Sequence, residues 1–217
     1  MIIAIDGPAG SGKSTVAKKV AEKLGFLYVD TGAMYRALTL KIIDMGVNFE
    51  DKEKVYQVAL NTDIQFRQEG ERLRIFLDGK EVSYKIREPY VTNKVFYVAD
   101  NVKVREVMVQ LQRKLGEAGD SVFEGRDMTT VVFPNTPFKF FLDADFEERV
   151  RRRYKELKDK GMDVNYEEIK EDLRQRDIKD TTRPVGALKL APDAVHIDTT
   201  TLTIDKVVEE ICKRIKK

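Results

Sequence analysis

The sequence contains one cysteine, one histidine and almost no net charge, and each of these absences excludes a class of protein. A single cysteine, Cys212, cannot form a disulfide within the chain, which favours a reducing compartment. One cysteine and one histidine cannot make a cluster with the ligand spacing of a zinc site. The 39 basic and 37 acidic residues leave a net charge of +2, which argues against nucleic acid as a partner. Any anion site must therefore be built locally.

Long apolar runs are also missing. No stretch approaches the ~18 apolar residues that a membrane helix needs. The opening segment, MIIAIDGP, has neither the length nor the basic region of a secretory signal. We therefore expect a cytoplasmic protein without a membrane partner. The 217 residues, 42% of them hydrophobic, are enough for one globular domain that can carry insertions.

Short apolar segments alternate with helical patterns along most of the chain. Strands are predicted at 2–5, 26–29, 121–123, 138–142 and 194–197, and helices at 13–24, 35–45, 102–115, 146–158, 166–176 and near the C-terminus. This alternation predicts an α/β fold with a five-stranded parallel sheet between two helical layers. His196, in the last predicted strand, should be packed in the core, and Cys212, in an apolar helix, should be buried.

One segment departs from this alternation. Between residues 62 and 82 apolar residues recur at every second position, with turn signals at Glu69-Gly70 and Asp78-Gly79. An antiparallel meander within an α/β chain predicts an inserted subdomain, which we assign to 62–98, between core segments 1–61 and 99–217. A second irregular stretch, around residues 158–165 with Gly161, lies between two charged helices and makes roughly residues 150–165 a candidate for a short mobile lid.

A glycine-rich motif follows the first predicted strand. Residues 7–14, GPAGSGKS, match the phosphate-binding P-loop pattern GxxxxGK[ST]. Its glycines let backbone N–H groups point at phosphate oxygens, and the next helix adds its positive dipole end. Lys13 can reach the β- and γ-phosphates, and the Ser14 hydroxyl can ligate Mg²⁺. The motif predicts ATP with Mg²⁺ as cofactors, bound by Gly7, Pro8, Ala9, Gly10, Ser11, Gly12, Lys13, Ser14 and Thr15.

Arginines are dispersed through the rest of the chain, and the DxxG and NKxD motifs of switch GTPases are absent. Phosphoryl transfer to a phosphate acceptor needs positive charge around the moving group and no strong general base. A chain with many arginines and no poised histidine suits that task. Arginines 149–153 could instead form a solvated helix face paired with nearby glutamates. The arginines concerned are Arg36, Arg105, Arg126, Arg149, Arg151, Arg152, Arg153, Arg176 and Arg183.

Four further segments are similar to those of a known family. They are DTGAMYR at 30–36, GRDM at 125–128, TVVFP at 130–134, and the run from Arg176-Asp177 through Asp180 to Arg183. Together with the P-loop they resemble, in order over essentially the whole chain, the bacterial cytidylate kinases. The resemblance implies transfer of the γ-phosphoryl group of ATP to CMP, and to dCMP. We expect a monomer, because one chain supplies all of these segments.

The resemblance also implies roles at the acceptor phosphate. Thr31, Gly32 and Arg36 would meet CMP, and Arg36 and Arg126 would grip its phosphate. Arg183 would bridge the two phosphates as charge develops. The implied catalytic residues are Lys13, Arg126, Arg176 and Arg183.

The base and sugar would be held by a second group. Arg105 and Asp127 would read cytosine, whose N4 amino donor and N3 and O2 acceptors are complementary to a carboxylate and a guanidinium. Asp127 could instead serve only as an ion-pair partner of Arg105 or Arg126. Arg176 and Asp180 would hold the pentose.

The remaining implied roles concern ATP, the metal and one departure from the family. Arg149 and Arg153 would cover ATP as lid arginines. Glu124, where the family generally has Asp, would serve Mg²⁺ through water. Phe96 stands where the family usually carries a serine that touches the cytosine edge, so that hydroxyl is missing here.

Two alternatives stay open on the sequence alone. The first is another small-molecule P-loop kinase, for UMP, dTMP or a non-nucleotide metabolite. A uracil site must offer a donor to O4 and an acceptor for N3–H, which Asp127 alone does not. The second is a non-enzymatic ATP-dependent switch or partner-binding module, which would bind ATP without acceptor-dependent release of ADP.

Overall fold

Five parallel strands form the central sheet of the computed structural model, which describes residues 1–69 and 72–215. The strands in chain order are β1 (Ile2–Asp6), β2 (Leu27–Asp30), β3 (Ile64–Glu69), β4 (Arg72–Leu77), β5 (Lys80–Glu81), β6 (Ser121–Gly125), β7 (Phe138–Asp143) and β8 (Val195–Asp198). The central sheet has the order β2-β6-β1-β7-β8, and every neighbouring pair in it is parallel. The five-stranded parallel sheet expected from the sequence is confirmed.

Helices cover both faces of this sheet. They are α1 (Lys13–Leu24), α2 (Thr31–Asp44), α3 (Lys52–Leu60), α4 (Pro89–Thr92), α5 (Val95–Ala99), α6 (Val102–Glu117), α7 (Phe146–Asp159), α8 (Tyr166–Thr182) and α9 (Ile204–Ile215). On one face Ile3, Ile5 and Phe140 pack against α1 and α9. On the other, Ala4 and Phe123 pack against α2 and α6. This alternation along β1 is what a strand buried on both faces requires.

The register of the sheet places several polar residues at one edge. Asp6 of β1 pairs with Gly125 of β6, and Asp30 of β2 pairs with Glu124. The carboxyl ends of these parallel strands therefore lie side by side, and the segments that follow them converge there. Open parallel sheets bind their ligands at this edge.

The predicted insert contains the expected meander and then turns helical. β3 and β4 pair antiparallel, and β5 follows through Asp78-Gly79, where both residues have positive φ, 48° and 80°. The turn expected at Glu69-Gly70 falls partly outside the described residues. Ile75 and Ile86 of this region share one buried cluster with Leu38 of α2. The insert is thus packed directly on the core, and its independent movement stays a prediction.

Several expectations need correction. The helix predicted from residue 35 begins at Thr31, because the side chain of Asp30 accepts a hydrogen bond from the Ala33 N–H at 2.9 Å and caps the helix. The helix predicted to end at residue 176 continues to Thr182. The helix predicted over 146–158 is confirmed as α7, which runs to Asp159, and the role of 150–165 as a lid stays a prediction.

Cys212 and His196, both predicted to lie in the core, differ in burial. Cys212 is buried among the residues of α1 and α9, as expected. The expectation for His196 was wrong: it lies on the edge strand β8, where alternate side chains point outward, and its side chain is exposed. No helix among the described residues is long and apolar enough to cross a membrane.

Candidate active site

The P-loop connects β1 to α1 at the carboxyl edge of the sheet. A Cβ at Gly7 would overlap the carbonyl oxygen of Leu142, so no larger residue fits there. Gly12, at φ 85°, precedes the first turn of α1, and no side chain caps that turn. The N–H groups at the start of α1 therefore have no side-chain acceptor, which is the arrangement that binds phosphate oxygens.

Lys13 is buried within this loop. Its Nζ donates a hydrogen bond to the carbonyl oxygen of Pro8 at 2.8 Å. Burial, with the charge of the nearby Arg126, lowers the pKa of Lys13 to about 7. Ser14 and Thr15 follow on the exposed side of the helix. A lysine whose charge is disfavoured in this way gains most from a nearby phosphate.

Two arginines expected to cover ATP differ in position. Arg149, in the first turn of α7, is buried and donates to the carbonyl oxygen of Ala9 at 3.1 Å. The same guanidinium pairs with Asp177 of α8 at 2.6 Å. Arg153 is half-exposed and pairs with Glu156 of its own helix at 2.8 Å. The structure thus brings Arg149 to the P-loop. Arg153 pairs within its own helix but is close enough to Arg176 for its charge to help lower the pKa of that guanidinium, and its contact with ATP stays a prediction.

The acceptor side begins where β2 ends. Asp30 pairs with Arg36 at 2.7 Å, and Arg87 lies 3.9 Å away. Burial raises the pKa of Asp30, but these two guanidinium groups hold it below its usual value. The Thr31 hydroxyl donates to the carbonyl oxygen of Glu124 at 2.7 Å, and a Cβ at Gly32 would lie 3.1 Å from the Arg36 guanidinium. Thr31, Gly32 and Arg36 therefore form one surface next to β6.

Glu124 is the buried carboxylate at the end of β6. Its Oε1 accepts a hydrogen bond from the Tyr28 hydroxyl at 2.9 Å. Burial and this carboxylate raise the pKa of Tyr28 well above its usual value. Glu124 is also close enough to Lys13 to favour its charged form. Ser14 and Glu124 carry oxygen atoms of the kind that Mg²⁺ prefers, and their part in holding the ion stays a prediction. In the described part of the chain no three His, Cys, Asp or Glu side chains form a metal cluster.

A single carboxylate pairs with two arginines and lies near a third. Asp180 of α8 is buried, accepts from Arg126 at 2.6 Å and also pairs with Arg183. Burial raises its pKa, but Arg126, Arg183 and Arg176 together lower it to about 2. Arg176 is exposed to solvent, yet the protein around it and the charge of Arg126 lower its pKa to about 10. The surplus positive charge here suits a phosphoryl group in transfer.

Arg105 and Asp127 form a buried ion pair beside this cluster. The Arg105 guanidinium also donates to the carbonyl oxygen of Ala99 at 3.2 Å and lies 5.5 Å from the Tyr35 ring centroid. A Cβ on Gly186 would overlap both side chains of the pair. The ion pair considered for Asp127 is therefore present, and its reading of a base stays a prediction.

Phe96 lies on α5, one turn before Ala99. Its ring centroid is 3.9 Å from that of Tyr97, and the Lys179 ammonium of α8 is 4.0 Å from the Phe96 centroid. Phe96 thus makes ring packing and a cation–π contact, and its correspondence to a serine of the family stays a prediction.

Comparison with known proteins decides the family. The model of the cytidylate kinase family matches residues 3–217. The chain belongs to the cytidylate kinase family. It is 51% identical over 215 residues to the cytidylate kinase of Caldanaerobacter subterraneus subsp. tengcongensis, covering 99% of this chain and 94% of that one. It is 48% identical to the cytidylate kinase of Enterococcus faecalis, covering 99% and 95%.

A solved structure supports the fold alone. The crystal structure of an uncharacterized protein from Eubacterium ventriosum has a TM-score of 0.52 and 16% identity, covering 100% of this chain and 99% of that one. The family match and the identity to curated relatives confirm the resemblance to cytidylate kinases inferred from the sequence.

Sequence reasoning missed several residues that shape the site of this cytidylate kinase family member. Asp6 accepts hydrogen bonds from the turn after Asp127, and the Thr199 hydroxyl donates to the carbonyl oxygen of Ser11 in the P-loop at 3.0 Å. Arg152 in turn donates to the carbonyl oxygen of Thr199 at 2.6 Å. These contacts join residues far apart in the chain, and no local pattern marks them.

Proposed function

We propose that this chain transfers the γ-phosphoryl group of ATP to CMP, and to dCMP, giving ADP and CDP or dCDP. The proposal rests chiefly on one arrangement: the segment that follows β6 carries Arg126 toward Lys13 and Asp180, and Asp127 toward Arg105. Phosphate-handling and base-reading groups are therefore adjacent residues at the edge where the P-loop begins.

The donor side would hold ATP through the P-loop. Backbone N–H groups at the start of α1 would cradle the phosphates, and the Lys13 ammonium would exchange the Pro8 carbonyl for phosphate oxygens. Ser14, with Glu124 through water, would hold Mg²⁺, which supplies neutralisation of phosphate charge when bound. The Arg149 guanidinium donates a hydrogen bond to the carbonyl oxygen of Ala9 and so stabilises this loop.

The transfer itself needs positioning and charge. A phosphate oxygen of CMP attacks the γ-phosphorus, the bond from that phosphorus to the bridging oxygen breaks, and ADP leaves with the electron pair. Arg126, Arg176 and Arg183 surround the path of the moving group, and Asp180 fixes the first and last of them. An acceptor that is already an anion needs no general base, and none is assigned.

Base choice would lie with Asp127 and Arg105. The carboxylate would accept from the N4 amino group of cytosine, and the guanidinium would donate to N3 and O2. In UMP the N4 donor becomes an O4 acceptor that faces the carboxylate. A buried polar group left unpaired costs roughly 1–3 kcal/mol, which corresponds to about five- to 150-fold discrimination against UMP at ~1.4 kcal/mol per decade.

Closure would complete the site. The predicted insert touches the acceptor side through Arg87, which lies 3.9 Å from Asp30, and touches α8 through Phe96 and Lys179. We expect the insert, 62–98, and the lid, 150–165, to close when both nucleotides are bound and so to exclude water from the γ-phosphate. All of the groups named come from one chain, which favours a monomer acting in cytoplasmic pyrimidine nucleotide metabolism.

The experiment compares kcat/KM for CMP and UMP in the wild type, Asp127→Asn and Arg105→Met. Asn supplies a donor as well as an acceptor, so Asp127→Asn should lower kcat/KM for CMP and bring it closer to kcat/KM for UMP. Arg105→Met should weaken both substrates, because O2 is common to the two bases. Asp205→Asn makes the same change on an exposed helix and is the control. An unchanged CMP/UMP ratio in Asp127→Asn would mean that Asp127 is only an ion-pair partner.

A further inference from the structure

A buried carboxylate with no part in the proposed reaction lies between the two nucleotide sites. Asp6 is the last residue of β1 and immediately precedes Gly7 of the P-loop. Its side chain is completely buried. Its oxygens accept three hydrogen bonds, from the Met128 N–H at 2.9 Å, the Thr129 N–H at 2.8 Å and the Thr129 hydroxyl at 2.6 Å.

All three donors belong to the turn that begins directly after Asp127. Residues Met128–Val132 form a short π-helical turn, and no side chain of its own segment caps its first N–H groups. Asp6 performs that task from the neighbouring strand, 122 residues earlier in the chain. The carboxylate therefore fixes the backbone that carries Arg126 and Asp127 relative to the first residue of the P-loop.

A buried carboxylate costs more free energy than a residue that only caps a turn needs to. Burying a carboxylate is expensive unless hydrogen bonds compensate, and a neutral serine or asparagine could cap a turn with less loss of hydration. Burial raises the pKa of Asp6 to about 6 even though three donors surround it. A charged group in this place holds two backbone N–H groups more firmly than a neutral one does.

We propose that Asp6 is a positioning residue that holds the Arg126–Asp127 segment in register with the P-loop, so that acceptor and donor phosphates meet at the correct distance. This rests on the proposed function of the same site. Loss of the contact should loosen the acceptor side selectively, because the P-loop keeps its own contacts with Leu142, Arg149 and Thr199.

The test is steady-state kinetics of Asp6→Asn with CMP and ATP varied separately. The asparagine amide must point its NH₂ group at one of the three donors. The KM for CMP should therefore rise about tenfold, from loss of roughly one charge-assisted hydrogen bond, while the KM for ATP changes less than about twofold. The ratio of kcat/KM for CMP to kcat/KM for UMP should also fall, and a loss of stability alone would not change this ratio.

Two further variants keep the test decisive if Asp6→Asn folds poorly. Thr129→Val removes one donor and leaves both backbone bonds, so it should shift the KM for CMP in the same direction by a smaller factor. Thr136→Val removes a hydroxyl that donates to the Ile2 carbonyl oxygen at 2.6 Å, at the amino end of β1 and so at the edge of the sheet opposite the nucleotide sites, and it should leave both KM values unchanged.

The outcomes separate the inference from the function on which it rests. Equal rises in both KM values, or no change in the KM for CMP in Asp6→Asn and Thr129→Val, would overturn the positioning role. Absence of CMP-dependent ADP release in the wild type would instead overturn the proposed function.

Discussion

Gly186 offers a sharp perturbation of the predicted base site. It lies at φ 66°, and a Cβ there would overlap both Arg105 and Asp127. Gly186→Ala should therefore force the two side chains of this buried ion pair apart or aside. Disturbing one charge-assisted hydrogen bond costs about 1.5–3 kcal/mol, so kcat/KM for CMP should fall by roughly ten- to a hundredfold.

Gly46 supplies a matched control. It has nearly the same backbone angle, φ 65°, but nothing lies within 4 Å of a Cβ there. Both alanine variants bear the strain of the left-handed conformation, about 1–2 kcal/mol, and should lose a few degrees in Tm. Only Gly186→Ala should also lose CMP efficiency.

The assay measures ADP release at varied CMP for the wild type and both variants, with Tm recorded alongside. If Gly186→Ala and Gly46→Ala turn over CMP equally well, the Arg105–Asp127 pair does not contact the base. The assignment of base choice to that pair would then be wrong.

Three further predictions concern the P-loop and closure. Lys13→Ala should lower turnover by several orders of magnitude with the fold retained; near wild-type turnover would contradict the P-loop assignment. Because Lys13 has a pKa of about 7 without phosphate, it is mostly neutral at pH 8, and phosphate should raise its pKa. ATP binding at pH 8 should thus be accompanied by the uptake of nearly one proton, and at pH 6 by almost none. Calorimetry in buffers of different ionisation enthalpy measures this proton uptake. Equal proton uptake by Lys13→Met would show that Lys13 is not the group that is protonated. Hydrogen exchange in 62–69, 72–98 and 150–165 should slow when CMP and an ATP analogue are both bound, and unchanged protection would argue against closure.

The sequence predicted those parts of the fold that local patterns encode. Buried strands, the amphipathic α1 and the Asp78-Gly79 hairpin each leave a signal within a few residues. The start of α2 was missed because Gly32 resembles a loop residue, whereas the cap by Asp30 makes Thr31 helical. The last turns of α8 were missed because Ile169 and Leu173 are its last buried apolar residues, so no apolar stripe marks its end.

The candidate site likewise combines local motifs, which the sequence predicts, with long-range contacts, which it does not. The P-loop and the arginine-bearing segments are local motifs. The structure brings Arg126, Arg149, Arg176 and Arg183 to one edge of the sheet, and Arg153 is close enough to Arg176 for its charge to lower the pKa of that guanidinium. The contacts that hold them, from Asp6 to Thr129 and from Thr199 to Ser11, join residues more than a hundred positions apart. Such contacts depend on strand order, which the sequence alone does not specify. The exposure of His196 likewise follows from the place of β8 at the sheet edge.

The central claim is that this chain is an ATP-dependent kinase of CMP and dCMP. The most direct measurement is a coupled assay of ADP production with CMP, dCMP, UMP, AMP and dTMP as separate acceptors. We expect ADP release with CMP and dCMP, release at least about fivefold less efficient with UMP, and little with AMP or dTMP. Equal release with all five acceptors, a preference for UMP or dTMP, or ATP binding without acceptor-dependent release would contradict the claim.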